Sequence, residues 1–209
     1  MLVRPWDRAL DPDEWRPILA ARRFGDLVAG GRDRDVPVVV PTPYSLVGDE
    51  VLIHLATTNP VWDAIAEHPR VVLSVSADDA YVPGHWKAIG DEDPALGIPT
   101  TLMAVVQVTA TVSPIDDPDG LLAVLRATLA DHGDTDLADP AVHQRLLGSI
   151  RAIRLPLTEV VAKVKAAGNL DAAHRAAIAD RLEARGGPND VAAAGHVRRR
   201  AEARREPRR

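Results

Sequence analysis

The sequence predicts an α+β fold, with helices flanking a mostly antiparallel sheet or barrel. Three observations lead there. Apolar runs rich in β-branched residues recur along the chain: Val36–Val40, Val51–Ala56, Val71–Val75, Thr101–Val112, Ile150–Leu157 and Val160–Lys165. Short turn signals join several of them, Gly48-Asp49 lying between two apolar runs, and Asp116–Gly120 is a further turn after the longest. Helical patterns fall between some strands but not all, which argues against a regular βαβ alternation.

The helices follow from their punctuation. Asp11–Ala29 reads as one helix, with Asp11 or Asp13 as cap and Trp15, Ile18, Leu19 and Leu27 near one side. Gly30-Gly31 and the following RDRD mark a turn, and Pro41 and Pro43 place a loop or sheet edge after the first strand. Asn59 is a candidate N-cap with Pro60 at the first helical position, opening a short helix over Val61–Glu67 that Pro69 ends. Tyr81–Trp86 is irregular and Gly90–Pro99 is an acidic loop. Leu121–Asp131 is amphipathic, and Asp139-Pro140 opens a helix reaching about Ser149. Asp171 caps a helix that runs to Arg185 and stops at Gly186-Gly187-Pro188; a small helix and a loose polar tail follow.

Composition bounds the function classes. The chain has 209 residues, 46% hydrophobic and 26% charged, enough for a sizeable core. It contains no cysteine, which removes disulfides, thiolate metal sites and cysteine nucleophiles together. No run approaches the ~18 apolar residues of a membrane helix, and the charged start MLVRPWDRAL lacks a signal core, so the expectation is a cytoplasmic protein. Net charge is −5, while His196–Arg209 holds seven Arg and two Glu. An acidic body with a basic tip lacks the broad positive face of a nucleic-acid reader.

Two segments carry candidate chemistry. In HLATTNPVW, His54 to Trp62, a strand runs into two hydroxyls, a cap and a helix start, where backbone N–H groups can receive an anion and a phosphate is the natural guest. A capped turn with no ligand is the alternative. In AKVKAAGN, Lys163 and Lys165 are two of three lysines in the chain, and i, i+2 spacing on a strand puts them on one face. Their alternative is a solvated edge strand. Trp62 and Trp86 offer rings that could stack on a ligand or serve the core. The seven His never fall in HxH or HExxH spacing, so no metal site is expected, and GxSxG, GxGxxG and P-loop patterns are absent.

These segments in this order resemble the PaiB family, FMN-binding negative transcriptional regulators with a split β-barrel related to pyridoxamine 5′-phosphate oxidases. The landmarks are VLIHLATTNPVW, AYVPGHW, GIPTTLMAVVQV, SPIDDPDGLL and the stretch from LTEVVAKVKAAGN to LEARG. The most specific is the last, where Lys163, Lys165 and Asn169 stand at the matching places of Gly-Lys-x-Lys-Leu-Ser-Gln-Asn. The resemblance implies a single split-barrel domain over residues 1–190, and the residues beyond it, 191–209, read from composition as a basic, flexible tail. It further implies a homodimer with FMN at the subunit junction and the phosphate against the turn of Thr57, Thr58 and Asn59. His54 and Ala56 would lie near the flavin, together with Trp62, Trp86 and Thr101, and Lys163 and Lys165 would contact cofactor or partner subunit.

The chain departs from the family's pattern in places. Thr57 stands where the family carries Arg, Thr101 and Leu102 replace Trp and Asn, and Ala167 and Gly168 replace Ser and Gln. Loss of one charge-assisted phosphate contact costs about 1.5–3 kcal/mol. Two readings are therefore set side by side. One is an FMN-binding protein with a regulatory or flavin-dependent oxidoreductase role. The other is a non-enzymatic regulatory or binding protein on the same scaffold that has lost or weakened flavin binding. Specific DNA reading is argued against by the acidic body and the lack of a helix-turn-helix; only the Arg-rich tail could reach phosphates, without sequence selectivity.

Overall fold

Alternating burial along the strands sets the architecture. A computed structural model of the chain describes residues 1–32, 34–134 and 147–203. Its strands are β1 (Phe24–Ala29), β2 (Val38–Pro43), β3 (Ser45–Val47), β4 (Glu50–Ala56), β5 (Arg70–Val82), β6 (Thr100–Thr111), β7 (Ser113–Ile115), β8 (Ile150–Pro156) and β9 (Glu159–Lys165). Its α-helices are α1 (Pro12–Arg22), α2 (Val61–Glu67), α3 (Pro118–Ala130), α4 (Ala172–Arg185) and α5 (Asp190–Ala203). One sheet has the order β2-β1-β5-β6-β9 and the other β3-β4-β8-β7. The pairs β1–β2, β1–β5, β3–β4, β4–β8 and β7–β8 are all antiparallel, so the α+β expectation holds.

The chain divides into two compact units: Arg16–Val75 with Val106–Val161, and Met1–Trp15 with Ser76–Val105 and Ala162–Arg209. In the first, β4 and β8 pair along seven residues, from Glu50 opposite Pro156 to Ala56 opposite Ile150. Val51 and Ile53 of β4 are buried, as are their partners Leu155 and Ile153. The opposite face carries Leu52 and Ala152, covered by Leu121 and Val124 of α3 with Ile115 and Leu147. Each such side chain removed from water contributes ~1.5–3 kcal/mol, which holds the register.

The helix expected over Asp11–Ala29 is a helix followed by a strand. It stops at Arg22, Arg23 takes φ +50°, and β1 begins at Phe24. Tyr44 stabilises the break: its N–H donates to the Arg23 carbonyl at 3.0 Å and its hydroxyl to the Leu19 carbonyl at 2.8 Å. Burial then alternates, with Gly25, Leu27 and Ala29 inside. Pro41 and Pro43 lie in β2, at an edge of its sheet, where missing N–H donors cost least. The helix expected over 139–149 falls mostly outside the described residues.

In the second unit, Asp171 caps α4 by accepting from the His174 N–H at 3.0 Å, and Gly186 ends it. Arg185 grips Asp190 through two bonds of 2.6 and 2.7 Å, turning the chain into α5. Residues 190–203, expected as mostly loose tail, are helical. Ala193, Ala194 and Val197 are buried. The arginines pair with carboxylates: Arg198 with Asp180 and Glu183 and Arg199 with Asp11 at the surface, Arg200 with Glu14 in the interior. This segment is therefore largely neutralised by its own fold.

Candidate functional site

The turn after β4 closes on itself. The carbonyl of Ala56 accepts from the Asn59 N–H at 3.0 Å and from the Trp62 indole at 2.8 Å. Asn59 Oδ1 accepts from the Val61 N–H at 3.0 Å, which is the capping expected of it, although Pro60 rather than Asn59 immediately precedes the helix. The Thr57 N–H donates to the Ser149 carbonyl at 2.9 Å, and the Trp62 N–H to the Asn59 carbonyl at 3.2 Å. Four of the amides expected to face an anion are thus engaged, three within the turn and one with Ser149.

What remains outward is side-chain chemistry. Thr57 and Thr58 are exposed, while Trp62 is buried. The guanidinium of Arg151, at the start of β8, lies 4.5 Å over the Trp62 ring. It is paired opposite Leu55, beside the residues that anchor the turn. His54 is half-buried on β4 opposite Ala152, and burial pushes its imidazole pKa down, so it is neutral at neutral pH. His54, Ala56, Thr57, Thr58, Asn59 and Trp62 therefore share one neighbourhood. The sequence reading missed Arg151, whose placement follows from the β4–β8 register.

A separate cavity of about 450 Å³ lies within the second unit. Lys163 and Lys165 line it on one side, as their i, i+2 spacing predicts, with Lys87 and Thr100 also in its wall. Lys165 Nζ donates to Thr100 Oγ1 at 2.5 Å. The N-terminal segment supplies Arg4, Trp6 and Asp7. That segment runs along β9 through an Arg8–Lys163 bridge and an Ala9 N–H to Ala162 carbonyl bond of 3.2 Å. Gly168 permits its approach, since a Cβ there would meet the Trp6 carbonyl oxygen at 2.2 Å.

Trp86 and Thr101 are not among the residues lining this cavity. Trp86 stacks under Arg185 at 4.8 Å, and its carbonyl accepts from Arg181. Thr100 and Leu102 line the cavity and Thr101 does not, as strand alternation requires. Lys87 enters from the loop between β5 and β6, whose turns at Gly84–Lys87 and Pro94–Leu96 press together at Gly84 and Gly97. A Cβ on Gly97 would stand 1.9 Å from the Gly84 carbonyl oxygen. The sequence signal for Lys87 was its rarity: it is the third of three lysines.

Residues 1–159 match the family described as "Putative FMN-binding domain". The chain belongs to this family. Among solved structures, the FMN-binding domain protein is similar to a flavocytochrome of Azotobacter vinelandii, at 22% identity and TM-score 0.63, covering 78% of this chain and 72% of that one. It is similar to a conserved hypothetical protein of Mycobacterium tuberculosis at 16% identity and TM-score 0.59, covering 81% and 94%. A FAD and heme binding protein of Mycobacterium smegmatis aligns at 20% identity and TM-score 0.57, covering 76% and 73%. These likenesses show the fold, a mixed α+β split barrel. No curated protein sequence matches the chain. FMN is the cofactor of this domain family.

The turn of the FMN-binding domain fits a phosphate through side chains. Two exposed hydroxyls and a guanidinium 4.5 Å over an indole are donor types suited to a phosphate dianion, since Arg presents paired N–H groups to it. The amides already engaged are not needed for it. Among the described residues no cluster of His, Asp or Glu suits a metal ion, and no helix is long and apolar enough to cross a membrane.

Proposed function

We propose that this chain is a PaiB-type flavoprotein acting as a homodimer, in a regulatory or flavin-dependent redox role, with FMN at the junction of two subunits. The observation that carries the reading is the Thr57–Trp62 turn with Arg151 over Trp62, inside the family match. Thr57, Thr58 and Arg151 bind the phosphate; Asn59 and the Ala56 carbonyl keep the turn rigid; His54 offers a neutral imidazole nearby. FMN supplies electron-transfer chemistry when bound, and the protein supplies binding and orientation. Support for a second subunit comes from Leu96 and Ile98, which stand 80% and 75% exposed in the β5–β6 loop, the kind of apolar surface a partner covers.

Direct DNA reading finds less support, because Arg198, Arg199 and Arg200 are occupied by Asp180, Glu183, Asp11 and Glu14. The absorption spectrum of freshly purified protein tests the proposal, with mass identification of any released chromophore and light scattering for the oligomeric state. A yellow dimer releasing FMN is expected. A colourless protein that gains no thermal stability from added FMN overturns it and leaves the scaffold as a binding module without flavin, since a ligand of the folded state must raise stability.

A further inference from the structure

The cavity of the second unit concentrates cations in a protein of net charge −5. Every lysine of the sequence lines it, together with Arg4. Asp7, 5% exposed, is its single acidic lining residue among the described residues. Four cations against one carboxylate leave a surplus of three positive charges in a space within the size range of small-molecule sites. Lys163 and Lys165 share this wall through their i, i+2 spacing, Lys87 joins them from a distant loop, and like charges gathered in a concave wall repel unless an anion lies between them. Burial and the neighbouring Lys165 ammonium push the Lys87 pKa down, a sign of that crowding. Thr100 and Asn169 add neutral polar groups to the lining, and apolar side chains that include the buried Leu102 and Ile178 complete it.

We propose that this cavity binds a small organic dianion, a phosphomonoester or a dicarboxylate, at a site distinct from the Thr57–Trp62 turn. The anionic group meets Lys87, Lys163 and Lys165, and the carbon skeleton rests on Leu102 and Ile178. Lys165 is held towards the cavity rim by Thr100, so part of the receptor is already in place. The family match ends at residue 159, before Lys163 and Lys165, so these two lysines lie outside the part of the chain matched as FMN-binding. The site does not depend on FMN being bound at the turn.

Titration calorimetry of the full chain with phenyl phosphate, phthalate and neutral phenol tests this, alongside a separate FMN titration. Phenyl phosphate or phthalate should bind and phenol should not; which dianion binds better distinguishes the two headgroups. Lys163→Gln and Lys165→Gln should each weaken the dianion about tenfold or more, with FMN affinity and the near-ultraviolet circular dichroism unchanged. Lys165→Arg, which keeps the charge, should retain most of the affinity. Failure of both dianions to bind, or equal binding by the double Gln variant, overturns the proposal. So does competition between phenyl phosphate and FMN with both lost in the lysine variants, which would make the cavity part of the flavin site.

Discussion

The carboxylate of Glu14 and the guanidinium of Arg200 meet at 3.2 Å, with their side chains 0% and 7% exposed. Glu14 Oε2 also accepts from the Leu10 N–H at 2.6 Å, and Arg200 donates to the Arg8 carbonyl at 2.6 Å. This pair fastens the segment carrying Arg4, Trp6 and Asp7 to the last helix. Removing one partner strands a buried charge, so Glu14→Gln or Arg200→Met should each lower unfolding stability by about 3–5 kcal/mol. Urea denaturation measures this, and a loss below ~1 kcal/mol would show the pair to be solvated.

The contact between Gly84 and Gly97 leaves no room for a methyl group. Gly97→Ala should destabilise by about 1–3 kcal/mol through overpacking against backbone. Gly195 supplies the contrast, being exposed within α5 with nothing near its Cβ position. Gly195→Ala should stabilise by ~0.5–1 kcal/mol, the helical preference for Ala. Comparing the two denaturation midpoints checks both signs.

His174 sits between Asp171 at 2.7 Å and Glu92 at 2.9 Å. Hydrogen bonds donated by its ring to Asp171 first and Glu92 second raise its pKa above the usual 6.5. The folded state therefore binds the proton more tightly than the unfolded state. The resulting stabilisation is full below pH 6.5 and is lost as pH rises through the raised folded value. His54 works in the opposite sense: its lowered pKa makes stability fall as pH drops below 6.5. Imidazole titrations by NMR should place His174 above and His54 below the ordinary value, and His174→Gln should flatten the alkaline limb of the stability profile.

At the turn, Arg151→Ala and the Thr57→Ala, Thr58→Ala pair should each weaken FMN about 10–100-fold, the loss of one or two charge-assisted phosphate bonds. Flavin fluorescence titration reads this directly. An unchanged Kd for the Arg151 variant would remove that residue from the phosphate site.

Much of this was legible in the sequence because the signals are local. VLIHLA is a continuous apolar run and Asn-Pro marks a helix start, so β4, the turn and α2 were expected nearly where they stand. Lys163 and Lys165 share a wall because i, i+2 spacing on a strand guarantees it. The missed features depend on distant partners. β1 hid inside a helical pattern because the break at Arg23 is stabilised by Tyr44, twenty-one residues on. Arg198–Arg200 read as part of a loose basic tail because Asp11 and Glu14, which partner Arg199 and Arg200, lie at the other end of the chain. Arg151 meets Trp62 only once the β4–β8 register is known.

The bond from Arg200 to the Arg8 carbonyl joins residues 192 positions apart. At a synthesis rate of about 5–20 residues per second, Arg8 waits roughly 10–40 s before its anchor is made. Loop closure over that distance comes after local pairing, so the lysine-lined chamber is among the last parts of the protein to be completed.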